Sequence, residues 1–144
     1  MTEKRAWPTQ MTGRDAAEIL GMVERLGVRI WIDGGWAVDA LLGRQTRHHA
    51  DLDIVIEQKD LDAVVGMFKT RGYRSAHRNN SHPWNFALGD GVRREVDLHV
   101  VVIDEQGNGI CGPPANFDVY PAAALTGIGA IHGRIVRCVS HRMR

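Results

Sequence analysis

Trp31-Ile32-Asp33-Gly34-Gly35-Trp36-Ala37-Val38-Asp39-Ala40-Leu41-Leu42-Gly43, with Leu52-Asp53-Ile54-Val55-Ile56 close behind, decides how this chain folds. Val28 to Ile32 is rich in strand formers and runs into Asp33-Gly34-Gly35, where the strand must stop. Trp36 to Leu42 reads as a short helix closed by Gly43, since glycine enters the left-handed conformation of a helix end without steric cost. Arg44 to Ala50 is a polar loop, and residues 52–56 are a buried strand.

Upstream, Thr12-Gly13-Arg14-Asp15 has the spacing of a capping box. Ala16, Ile19, Leu20, Val23 and Leu26 follow at helical intervals, and Gly27 is the terminator. Downstream, Lys59 to Thr70 carries Leu61, Val64, Val65 and Phe68 on one helical face, with Gly72 past its end. Trp84 to Leu88, the turn Gly89-Asp90-Gly91, and Val92 to Ile103 read as a hairpin. Asp104 to Pro114 reads as a Gly/Pro-rich loop, a short helix follows Pro121, and residues 127–131 and 134–139 make a second hairpin turning at His132-Gly133. The order predicts an α+β fold, with a mixed or mostly antiparallel sheet and helices on one face.

At 144 residues the chain is expected to form a single domain. Its 18 basic and 17 acidic side chains nearly cancel, so no global field marks a nucleic-acid partner. Met1 to Pro8 lacks the apolar core of a signal peptide, and no run approaches transmembrane length. A cytoplasmic protein without a membrane partner is the expectation. Cys111 and Cys138 lack CxxC spacing and are expected as reduced, partly buried thiols.

Three features carry chemistry. Side chains alternate along a strand, so Asp51 and Asp53 point one way while Leu52, Ile54 and Ile56 point into the core. Two adjacent carboxylates repel and need a cation, which makes them either a metal pair or an acidic strand end in water. Mg²⁺ suits hard oxygens and leaves room for phosphate oxygens. In Glu95-Val96-Asp97-Leu98-His99, Asp97 sits mid-strand on the face opposite Val96 and Leu98. A carboxylate there needs a partner: either a second metal ion about 4 Å from the first, or an arginine such as Arg93 or Arg94. Gly34-Gly35 at a helix start is either an ordinary turn or a seat for phosphate oxygens on bare backbone amides.

These residues together resemble a known family. Residues 31–43, then Arg44-Gln45-Thr46-Arg47-His48, then Asp51-Leu52-Asp53, are similar to the antibiotic nucleotidyltransferases of the DNA-polymerase-β-like superfamily, namely the lincosamide nucleotidyltransferases and the aminoglycoside 2''-adenylyltransferases. The likeness continues through Trp84-Asn85-Phe86, residues 95–99 and Tyr120-Pro121 to Leu125-Thr126-Gly127, covering residues 12 to 140. It implies a polymerase-β-like fold, Mg²⁺ as cofactor, ATP as co-substrate, a small-molecule hydroxyl as acceptor of AMP, and a homodimer. It further implies that Gly34 and Gly35 hold the triphosphate. Asp51, Asp53 and Asp97 are then the metal-binding and catalytic carboxylates, with Asp97 placed to take the acceptor proton. The family normally continues past Cys138-Val139-Ser140 into helical sequence, which His141-Arg142-Met143-Arg144 does not resemble, so a short or truncated form is expected.

Other residues fill secondary places. Arg47 and His48 stand just before the acidic pair and are candidates for the triphosphate, Arg47 first because guanidinium matches phosphate geometry. A solvated basic loop explains them equally well. Lys59 reads as surface. His48, His49 and His99 lack the spacing of a zinc site. Glu95 and His99 flank Asp97 and are candidates to touch the acceptor or a metal; Trp36 and Trp84 offer aromatic faces for a base or drug ring, Trp36 fits the core equally well, and Trp31 reads as core. Between Val101 and Arg144 three acids face four arginines, which weighs against a polycationic aminoglycoside and toward a lincosamide. The alternatives are an antitoxin-like protein of the same fold bound to a protein or RNA partner, and a metal-dependent phosphohydrolase without an acceptor.

Overall fold

Thr12 starts the first helix as its sequence predicts. Its hydroxyl accepts the Asp15 amide at 3.1 Å while the Asp15 carboxylate accepts the Thr12 amide at 3.0 Å. In the computed structural model, which describes residues 9–76 and 81–140, this helix is α1, Gly13–Glu24. The readings of Met1 to Pro8 and of His141 to Arg144 fall outside the described residues. β1 (Ile30–Asp33) follows, then α2 (Gly34–Leu42), which Asp33 caps and Gly43 ends at φ +77°. β2 (Leu52–Glu57) and α3 (Leu61–Thr70) complete the first half.

Among the described residues of the second half, the elements besides a 3₁₀ turn at Ala122–Thr126 are strands: β3 (Arg74–Ala76), β4 (Asn85–Gly89), β5 (Glu95–Ile103), β6 (Gly109–Cys111), β7 (Asp118–Tyr120), β8 (Gly127–Ile131) and β9 (Arg134–Cys138). The sheet runs β3-β4-β5-β2-β1-β9-β8, with β6 bonded to β5 and β7 bonded to β6. β2 is parallel to β5 and β1 to β9, and the other pairs are antiparallel. The sheet is therefore mixed.

Strand alternation divides its two faces. Ile32, Leu52, Ile54, Ile56, Val96 and Leu98 pack with Ile19 and Leu20 of α1, Ala37 and Ala40 of α2, and Val64 and Phe68 of α3. All three helices thus cover one face, as expected. Trp31, Val55 and Val101 point the other way and pack with Cys111, Tyr120, Ala124 and Val139. Among the described residues, no helix is long and apolar enough to cross a membrane.

Several expectations need correction. β5 begins at Glu95 rather than Val92, because Asp90 Oδ1 accepts the amides of Val92, Arg93 and Arg94 and folds them into a turn. The expected loop 104–114 holds β6, a three-residue strand too short to carry a pattern. Trp36 is core, 4% exposed, and its Nε1–H donates to the Met11 carbonyl at 3.1 Å; no ring face is open for stacking on a ligand. Trp31 is core as expected, with its Nε1–H on the Leu125 carbonyl. Both cysteines are buried, and burial pushes the Cys138 thiol up to about 11.

Candidate active site

The pairing register lines up three aspartates. Antiparallel β1–β2 sets Asp33 opposite Asp53, and parallel β2–β5 sets Asp53 opposite Asp97. Side chains in register share a face, so the three carboxylates cross the sheet as a row on the face away from the helices. Asp51 lies one residue ahead of β2 with the same parity, and its charge acts on Asp53. Glu95 begins β5 opposite Gly89 and is 4% exposed.

His99 completes the group. Its Nε2 lies 3.4 Å from Asp53 Oδ1 and 3.5 Å from Asp97 Oδ2. Ligating atoms of Asp53, Asp97 and His99 fall within 4.8 Å of one another. Burial alone would lower the imidazole, but hydrogen bonds and charge from Asp53 and Asp97 hold it up at about 9. Burial raises Asp53, and the charges of Asp51 and Asp97 push the same way against the pull of His99. Carboxylates crowded this closely stabilise a cation among them, and the donor set of hard oxygens with one imidazole fits a divalent ion. The other oxygen of Asp97 is fixed by Asn85, whose Nδ2 donates to Oδ1 at 2.9 Å and to the Leu98 carbonyl at 3.1 Å. Arg93 and Arg94, weighed above as partners for Asp97, instead clamp Asp15 from the turn before β5. Asp97 is satisfied within the site.

The glycine turn closes against this row. Gly34 opens α2 at φ +64°, and a Cβ there would collide with the Asp53 carboxylate. A Cβ on Gly35 would stand 2.7 Å from both Arg47 Nη2 and His49 Nδ1. A side chain at either position would force a shift, so the backbone of the first turn of α2 approaches the carboxylates with no side chain between them. Asp33 Oδ1 accepts the Gly34 N–H at 2.8 Å, and its Oδ2 accepts the Tyr120 hydroxyl at 2.9 Å. The resulting cleft, about 510 Å³, has Asp33, Asp53, His99 and Arg47 on its polar side. Ala37, Val38, Leu41 and Val139 form its apolar side.

The sequence-predicted residues therefore divide. Gly34, Gly35, Arg47, Asp53 and His99 line the cleft, and Asp97 lies against it through His99. His48 is exposed and does not line it. Trp84 does not line it either; its ring stacks on His82 at 4.6 Å, and its carbonyl accepts the Val100 amide. His49, beside His48, is buried with its Nε2 2.6 Å from Asp39 Oδ2. Burial opposes ionisation of Asp39, but hydrogen bonds from Thr46 and His49 outweigh it and lower the group to about 2. Sequence reasoning missed Asn85, Tyr120 and the Asp39–His49 pair. Asn85, Tyr120 and Asp39 all stand within the stretches that carry the family likeness, but nothing in those stretches assigned them a role.

Residues 15–144 match the family model of the aminoglycoside-2''-adenylyltransferases. The chain belongs to that family. A lincosamide resistance protein of Staphylococcus haemolyticus is 36% identical over 98 residues, 68% of this chain and 60% of that protein. A 2''-aminoglycoside nucleotidyltransferase of Escherichia coli is 40% identical over 57 residues, 38% of this chain and 32% of that protein. The matched stretches thus span less than two thirds of either relative. The crystal structure of the lincosamide antibiotic adenylyltransferase LnuA with lincomycin bound superposes with a TM-score of 0.78 at 25% identity, over 92% of this chain and 82% of that one. ANT(2'')-Ia in complex with adenylyl-2''-tobramycin shares the fold at 24% identity, with a TM-score of 0.62 over 89% of this chain and 68% of that one. The expected polymerase-β-like nucleotidyltransferase fold is the one this family member has.

Proposed function

We propose that this chain is a Mg²⁺-dependent nucleotidyltransferase that moves AMP from ATP to a hydroxyl of a small antibiotic of the lincosamide or aminoglycoside type. The observation that carries the reading is the register of Asp53 with Asp97 immediately beside the bare Gly34-Gly35 turn. Anionic groups that gather a cation thereby adjoin amides that gather phosphate, which is the arrangement phosphoryl and nucleotidyl transfer need. The family and the names of its relatives argue for an enzyme over a partner-binding protein.

Asp51, Asp53 and Asp97 would hold the metal. A Mg²⁺ ion held there would supply charge neutralisation for the phosphates. The chain's own residues supply the rest. The first amides of α2 and the Arg47 guanidinium seat the triphosphate. Asp97, with Oδ1 held by Asn85 and Oδ2 beside His99, takes the hydroxyl proton. A bond forms from the acceptor oxygen to the α-phosphorus, the bond to the bridging oxygen breaks, and pyrophosphate leaves. His99 stands beside Asp97 to contact the acceptor, while Glu95 is buried and neither it nor Trp84 lines the cleft. Val38, Leu41 and Val139 give the cleft an apolar side, which with the arginine excess after Val101 favours a lincosamide. We place the enzyme in the cytoplasm, following the sequence reading, and as a homodimer, following the family resemblance.

Pyrophosphate release from ATP and Mg²⁺ tests this reading, measured with and without a panel of lincosamides and aminoglycosides. Release that requires one of these acceptors supports it. Release of phosphate without any acceptor would establish a phosphohydrolase instead.

A further inference from the structure

The geometry points to Tyr120 as a positioning residue for the nucleotide seat, acting through Asp33; this inference rests on the nucleotidyltransferase reading above. Asp33 poses a problem at that seat. Its carboxylate sits at the start of α2, on the Gly34 amide, and in register with Asp53. Phosphate oxygens drawn to the same amides meet a negative charge there, and like charges a few ångströms apart repel. Left to rotate, the carboxylate can also swing toward Asp53 and compete for the cation.

Tyr120 restrains it. The Tyr120 side chain is fully buried in the second core, among Trp31, Val55 and Ala124, so its hydroxyl has a fixed place. That hydroxyl donates to Asp33 Oδ2 at 2.9 Å while Oδ1 stays on the Gly34 amide. With both oxygens engaged, the carboxylate is held to the β7 side and its charge is partly offset. The ring packs; the hydroxyl serves the seat. Tyr120→Phe removes only the second function.

The test is equilibrium binding of a non-hydrolysable ATP analogue with Mg²⁺, by calorimetry, on the full chain. Four proteins are compared: wild type, Tyr120→Phe, Asp33→Asn and the double variant. Tyr120→Phe should weaken binding about tenfold, the usual size of a lost hydrogen bond to a charged group. In Asp33→Asn the side-chain oxygen still accepts the Gly34 amide and no charge needs restraint. Adding Tyr120→Phe to that variant should therefore change affinity by no more than about twofold. An equal loss in both backgrounds would mean that the hydroxyl acts through packing, and would overturn the inference. So would unchanged affinity in Tyr120→Phe. Wild-type protein that fails to bind the analogue would overturn the nucleotidyltransferase reading itself, and this inference with it.

Discussion

Asp53 and Asp97 are register partners across the parallel β2–β5 pair, and His99 Nε2 reaches both, at 3.4 Å and 3.5 Å. Forty-four positions apart in sequence, they meet because two strands run side by side in the same direction. Carboxylates in adjacent strands at this spacing are destabilising unless a cation stands between them. His99 supplies positive charge in this structure, at a place suited to a divalent ion.

Asn85 holds Asp97 Oδ1 in place. Asn85→Ala should lower kcat for transfer by about 10- to 100-fold, the range for groups that orient a site's ligands. The unfolding midpoint should move little, because Asn85 is only partly buried. Steady-state kinetics beside a thermal melt checks both halves.

Gly34 tolerates no side chain. Gly34→Ala places an alanine in the left-handed region, at about 1–2 kcal/mol, and its Cβ against Asp53. Displacing that carboxylate by even an ångström should cost about 100-fold in transfer. Gly43→Ala serves as control: it carries similar backbone strain at φ +77° but meets nothing within 4 Å, so its activity loss should be far smaller.

Asp15 and Asp39 set the acid limit of the fold. Burial opposes ionisation of both, yet Arg93, Thr12 and Arg94 hold Asp15 well below the usual carboxylate range, and Thr46 and His49 lower Asp39 to about 2. Depressed folded values contribute stability in full above the ordinary value of 3.8 and lose it as pH falls through the folded value. Melting temperature should therefore change little from about pH 7 to pH 5 and fall steeply below about pH 4. Asp39→Asn should flatten that acid slope. Asp15→Ala should cost about 2 kcal/mol in urea unfolding, since it removes the buried carboxylate that Arg93 and Arg94 clamp and the acceptor of the Thr12 amide.

The thiols report on packing. Cys138 is fully buried with its thiol pushed up to about 11, and Cys111 is 6% exposed. Neither should react with Ellman's reagent in the native protein, and both should react once guanidinium unfolds it.

Much of this was legible in the sequence because it depends on short-range chemistry. The Thr12–Asp15 box, the Gly43 terminator and the alternation around Asp53 and Asp97 act within a turn or along a strand. What was not legible depends on pairing at a distance. Arg93 and Arg94 stand four and three residues from Asp97, yet they reach Asp15, 78 and 79 positions away. The reason is the turn held by Asp90, which aims them toward α1 rather than along β5. Likewise Asp33 looked like a strand end, and its second partner, Tyr120, lies 87 positions on, on a strand of three residues. His49 read as one of a histidine pair, but only the fold brings it to Asp39 and against the Trp36 ring.

The most direct test of adenylyl transfer at the Asp53–Asp97 pair is the mass of the acceptor after incubation with ATP, Mg²⁺ and either wild type or Asp97→Asn. The account predicts a drug heavier by one AMP with wild type, and no adduct with a folded Asp97→Asn protein. An adduct formed equally well by Asp97→Asn would contradict it.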